Sequence, residues 1–241
     1  MRSMTRYLLY ILLGVIFTVG LFAGEKRLLT DLWADFGDDV VFLTGQHLTL
    51  VLISSGLAII IGVLLGIWLS RGAMRDVAES LMQCFNVGTT VPTLAILALS
   101  MSFLGIGKLP SVFALWVATL LPIVRNTYAG LRAVSPHLIE SAIGMGMTPR
   151  QILWKVEIPN ALYVIFAGIR TALAINVGTV PLAFLIGGGG LGELIFTGIA
   201  LDDLRMMLSG AVPVALLAIL VDFAIGQAQY WFIPRGVNPL R

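Results

Sequence analysis

Apolar residues run through this chain in long blocks, and polar residues gather in short breaks between them. Six blocks are long enough to read as membrane-crossing helices: Tyr7–Ala23, His47–Ser70, Ser80–Leu104, Leu109–Val124, Asn160–Ile186 and Met206–Phe232. A helix crossing the hydrocarbon core needs about 20 apolar residues. The first block has 17 residues after Arg2 and Arg6. It reads as an uncleaved anchor rather than a signal peptide, because no good small-x-small cleavage site follows. The fourth block is short, and it is expected to continue past Arg125, whose long side chain can snorkel. Pro92 inside the third block lacks an N–H and restricts Val91 before it, so a kink or break is expected there.

The segment 24–46 before the second block has a different pattern. Leu28, Leu29, Leu32, Trp33, Phe36, Val40 and Leu43 recur at helical spacing, with Asp31, Asp35, Asp38 and Asp39 between them. Two readings stand open: an interfacial amphipathic helix with Trp33 near the headgroups, or a partly structured connection.

Composition agrees with the blocks. Of 241 residues, 58% are apolar and 12% are charged, about half the charge of a typical soluble domain. One cysteine, Cys84, excludes a disulfide scaffold, and a net charge of +2 gives no basic face for nucleic acid. The charges fix an orientation. With the N-terminus inside, ten Lys and Arg residues fall in inner segments and four in outer ones, as the positive-inside rule requires. Both termini are then cytoplasmic, and the largest cytoplasmic loop is 125–159. The expected fold is an all-α, polytopic membrane protein of about six helices. It divides into an anchor and acidic outer loop over 1–46, a transmembrane domain over 47–232, and a tail over 233–241.

The large cytoplasmic loop carries the most specific pattern. Glu140, Ser141 and Ala142 are followed by Gly146, and nine residues later by Val156-Glu157-Ile158-Pro159. This resembles the EAA motif of ABC importer permeases, with Ser141 in place of the first alanine and Val156 and Ile158 as apolar swaps. The resemblance implies two short helices joined at the glycine, which dock in a cleft of a cytoplasmic ATPase through residues 136–159. The residue types suit that role: small residues let a helix enter a groove, Gly146 permits a sharp turn, and Pro159 fits a helix first turn.

Further stretches resemble the osmoprotectant group of these permeases: Thr90–Ala95, Leu104–Lys108, Leu121–Tyr128, Ala167–Ala172 and Gly187–Gly192. The resemblance covers roughly residues 47–232. It implies a type I importer permease (MetI-like) of a bacterial cytoplasmic membrane, serving quaternary-ammonium solutes such as glycine betaine, carnitine, choline and proline betaine. It implies as partners two ATPase subunits, which hold the ATP and Mg, a second permease subunit, and an extracytoplasmic solute-binding protein. The chain itself is then a non-catalytic transport subunit without cofactor or metal. A permease of the same architecture for an amino acid or sulfonate is an alternative. A proton-coupled secondary transporter is another, and it leaves the coupling motif unexplained.

Several residues attract separate readings. Gly187, Gly189 and Gly192 satisfy a dinucleotide pattern, but no strand precedes them as that pattern requires. With Gly188 and Gly190 they read as flexible backbone at a gate, or as a plain outer loop. Gly105-Ile106-Gly107-Lys108 is not a phosphate loop, since Ser102 and Leu109 stand where that motif needs Gly and Ser or Thr. Gly62 and Gly66 permit close helix packing. His47 and His137 stand alone and read as interfacial polar residues. Ionisable residues inside a span are costly, and Arg170 and Asp222 lie at matched depth. They are expected to pair, against the alternative that each snorkels separately. Asn176, deeper in the fifth span, reads as a pathway residue or as an interhelical hydrogen bond. Pro92 joins the gate candidates.

Overall fold

The computed structural model describes residues 28–234 and 236–237. The expected first span, Tyr7–Ala23, and most of the tail lie outside these. All regular elements among the described residues are helical: α1 (Leu28–Leu69), α2 (Arg75–Gly88), α3 (Thr93–Leu104), α4 (Lys108–Arg132), α5 (Pro136–Gly144), α6 (Pro149–Ile152), α7 (Ile158–Thr179), α8 (Gly192–Leu201) and α9 (Leu204–Phe232). A π-helical stretch, Leu153–Glu157, joins α6 to α7, and a 3-10 stretch, Val180–Ile186, follows α7. Four helices are long and apolar enough to cross a membrane, and α2 with α3 makes a fifth bent span.

The core is built where α4 packs between α1 and α7. Ile123, Val124, Leu131, Ala161, Ile165 and Ala172 are buried there. Glycines allow the close approach. A Cβ on Gly66 would lie 2.5 Å from Thr127 Cβ, and one on Gly62 would lie 2.9 Å from Ile123 Cγ2. The Gly62/Gly66 face of α1 is therefore an intrachain packing face against α4. A second cluster joins Leu50 and Val51 of α1 to Leu115, Val177, Val180 and Ala183.

Two of the following elements differ from the sequence expectation, and the break at Pro92 meets it. First, α1 has 42 residues and runs unbroken through the expected boundary at 46/47. At 1.5 Å per residue it is about 63 Å long, about twice a hydrocarbon core. The acidic segment is thus helical but continuous with the span. Within its apolar stripe Leu43, Phe36 and Val40 pack against Leu191, Leu194 and Met206, whereas Trp33 is exposed. Secondly, the third span is broken at Pro92, and its halves are bent by 100°. Pro92 stands at the N-cap of α3 with extended ψ of 134°, where its missing N–H costs nothing. Thirdly, the fifth span tightens to 3-10 geometry at Val180–Ile186 before the glycine run. The fourth span does continue past Arg125, to Arg132.

Candidate functional site

The loop 136–159 is made of two short helices joined at Gly146. Pro136 stands in the first turn of α5 after Ser135. The end of α5 is a Schellman closure. Met147 N–H donates to Ala142 O at 3.1 Å, and Gly146 N–H donates to Ile143 O at 2.9 Å. Gly146 has φ of 78°, the left-handed conformation that this closure requires and that glycine takes without strain. Two residues on, Thr148 opens α6 with a capping box. Its hydroxyl accepts from Gln151 N–H, and Gln151 Oε1 accepts from Thr148 N–H at 2.8 Å.

The motif residues divide by exposure. Glu140 projects outward with its side chain 74% exposed, within 3.8 Å of His137 Nδ1. Ser141 is exposed and donates back to His137 O at 2.7 Å. Leu138, Ile143 and Met145 add an exposed apolar surface to the same segment. Ala142, by contrast, is fully buried against its own chain. It serves as a small internal contact of α5 rather than as a surface for a partner's groove. Val156, Ile158 and Pro159 are half-buried, and Ile158 packs on the main core.

Glu157, inside the motif, has a partner that the sequence reading missed. Arg71 lies two residues past the end of α1, and its Nη1 donates to Glu157 Oε2 at 2.7 Å. Arg71 Nη2 also donates to Ser70 Oγ at 2.8 Å. The base of the coupling loop is thus tied to the end of the longest helix. The signal was a basic residue closing a span and an acid at the loop's end, but 86 residues separate them.

Along the bundle surface, Arg170 of α7 and Asp222 of α9 meet as a two-pronged ion pair. Nε donates to Oδ1, and Nη2 donates to Oδ2 at 2.5 Å. Both side chains are about 30% exposed at the bundle surface. The fork geometry matches a guanidinium to both carboxylate oxygens and fixes the two helices in rotation.

Asn176 is buried, and its Nδ2 donates to Ser54 Oγ at 2.8 Å and to Ser55 Oγ at 2.6 Å. It takes the interhelical role between α7 and α1, inside the protomer. Ser54 and Ser55 were not singled out from sequence. His47 is also fully buried, beside the glycine run, so it is not an interfacial residue. His137 is exposed, as expected of a polar loop.

The glycine run is not slack backbone. Gly187, Gly189 and Gly190 have φ of 79°, 78° and 88°. A Cβ on Gly188 would meet Ser111 Oγ at 2.4 Å, and one on Gly192 would meet Pro181 O at 2.0 Å. These glycines buy close approach to α1, α4 and the 3-10 turn, so the expectation of a loose segment is replaced by a tightly packed corner. Gly190 N–H donates to Gln46 Oε1 at 3.0 Å.

Helices long and apolar enough to cross a membrane, with an exposed helical loop at one end and a packed glycine corner at the other, are the build of a polytopic membrane protein. Residues 58–236 match the model of the binding-protein-dependent transport system inner membrane component, and the chain belongs to that family. It is 52% identical over 201 residues to an osmoprotectant import permease protein, OsmY, of Salmonella typhimurium, covering 83% of each chain. It is 42% identical to the choline transport system permease protein OpuBB of Bacillus subtilis, covering 85% of this chain and 94% of that one. It is 41% identical to the glycine betaine/carnitine/choline transport system permease protein OpuCB of the same organism, over 85% and 94%. The fold is similar to the MetNI methionine ABC transporter in inward-facing form, with a TM-score of 0.69 at 22% identity, covering 83% of this chain and 96% of that chain.

Proposed function

We propose that this chain is the translocation subunit of an ATP-driven importer for quaternary-ammonium osmoprotectants. Identity of 52% to an osmoprotectant import permease over most of both chains carries the reading. The exposure of Glu140, with the turn at Gly146 and the capping box at Thr148 that follow it, supports it. In this reading two ATPase subunits bind ATP and Mg and dock on residues 136–159. A second permease subunit completes the pathway, and an extracytoplasmic binding protein delivers the solute. The chain performs no chemistry. Closure of the ATPases draws two coupling loops together, and the tie from Arg71 to Glu157 passes the displacement to α1. The loop faces the cytoplasm, as do both termini, following the distribution of Lys and Arg.

Uptake of labelled glycine betaine, in cells producing this permease with its ATPase and binding protein, tests the reading. Uptake should require the ATPase and collapse in Glu140→Lys while the protein remains inserted. Co-purification with the ATPase without betaine uptake would move the substrate to another small solute. Uptake that needs no ATPase would replace the importer with a secondary transporter.

A further inference from the structure

The glycine corner and the coupling loop are both tied to α1, the corner midway along it and the loop just past its last residue. Gln46 holds the first and Arg71 the second. Twenty-five residues separate them, about 38 Å along a helix and enough to cross the hydrocarbon core. Both attachments are specific. At the corner, Gly187 and Gly188 donate their N–H groups to backbone carbonyls of Phe184 and Ala183. Gly190 instead donates to a side chain 144 residues away in sequence. Gly189 is equally committed, since a Cβ there would lie 2.1 Å from Gln46 Oε1. Gly190 is buried, so breaking this bond strands a donor unless the corner moves.

Resting on the importer reading above, we propose that the second half of α1, from Gln46 to Leu69 and on to Arg71 just beyond it, is a strut between coupling loop and glycine corner. Gln46 is its positioning residue and latch. The Gln46–Gly190 bond holds the corner down in the resting state and breaks when the pathway opens at that end. Loss of the latch favours the open state, which is also the state of the closed ATPase pair. The resting complex should then hydrolyse ATP without waiting for the binding protein.

The test uses the whole complex of permease, ATPase and binding protein in proteoliposomes. Gln46→Leu should raise ATPase activity in the absence of binding protein about fivefold, the factor equivalent to the ~1 kcal/mol of one hydrogen bond. The stimulation by loaded binding protein should shrink by the same factor. Gln46→Glu keeps an acceptor for Gly190 N–H and should restore the stimulated ratio. Addition of Glu157→Gln to Gln46→Leu should give a basal rate that departs from the product of the two single effects, as coupled ends require. An unchanged basal rate in an assembled Gln46→Leu complex overturns the latch. A loss of activity that Gln46→Glu shares equally assigns Gln46 to folding alone and overturns it too. Basal rates that multiply within twofold overturn the strut. A wild-type complex that shows no binding-protein stimulation removes the importer reading itself, and this inference with it.

Discussion

Asp222→Asn would leave the Arg170 guanidinium charged and without its carboxylate. Arg170 is twelve residues into α7, about 18 Å from its start, and Asp222 is ten residues from the end of α9, about 15 Å. Half of a 30 Å hydrocarbon core is about 15 Å, so both lie near the midplane. An unpaired charge at that depth costs about 3 kcal/mol on insertion scales, and breaking a buried pair costs a similar 3–5 kcal/mol. Since the pair is about 30% exposed at the bundle surface, the lower figure applies. Asp222→Asn and Arg170→Leu should each destabilise by about 3 kcal/mol. The double variant Arg170→Leu/Asp222→Leu should come close to wild type, because it removes both desolvation penalties together. The swap Arg170→Asp/Asp222→Arg should recover part of the loss. Unfolding in mixed micelles titrated with SDS, followed by circular dichroism, gives the free energy of each variant relative to wild type. Single-variant costs below about 0.5 kcal/mol, or a swap no more stable than either single variant, would refute the pairing argument.

Two further outcomes follow from the packing. Gly66→Leu must push α1 off α4, since even a Cβ would fall 2.5 Å from Thr127 Cβ and 3.0 Å from Val124 O. The expected result is a loss of folded protein in detergent of at least about 2 kcal/mol, read by thermal aggregation, whereas Gly45→Leu, with open space around it, should be tolerated. Thr148→Ala removes the capping box of α6 and should cost about 1 kcal/mol locally. Its readout is faster amide exchange over 148–152 and weaker co-purification with the ATPase, with no change in the melting of the spans.

Hydropathy and proline placement made the five described spans legible, because the bilayer imposes length on any apolar helix. The break at Pro92 was readable for the same local reason: one residue lacks a donor. The coupling loop was readable because its turn chemistry is local, with Gly146 and Pro159 at fixed offsets. The continuity of α1 was hidden by four aspartates, which lower hydropathy without interrupting a helix. The short α8 was hidden because ten residues are too few for a span. Gln46, Arg71, Ser54 and Ser55 could not be found from spacing, since their partners lie 86 to 144 residues away. The burial of Ala142 was missed because a small residue suits either a partner's groove or its own core.

The interruption between α2 and α3 carries one more implication. Gly88, at the end of α2, approaches Leu121, midway along α4, so the interruption lies deep between the two membrane faces. Thr89, Thr90, Val91 and Pro92 are all exposed there. The two threonine hydroxyls fold back onto the carbonyls of Asn86 and Val87, each at 2.7 Å, and the N–H groups of Thr89, Thr90 and Val91 donate to the carbonyls of Phe85, Val87 and Gly88, which leaves the turn's own carbonyl oxygens as its uncovered backbone. Lipid tails offer no hydrogen bonds, and irregular backbone does not face them. This side of the subunit is therefore turned toward water or another polypeptide, and the lipid-facing perimeter must be drawn around the remaining sides.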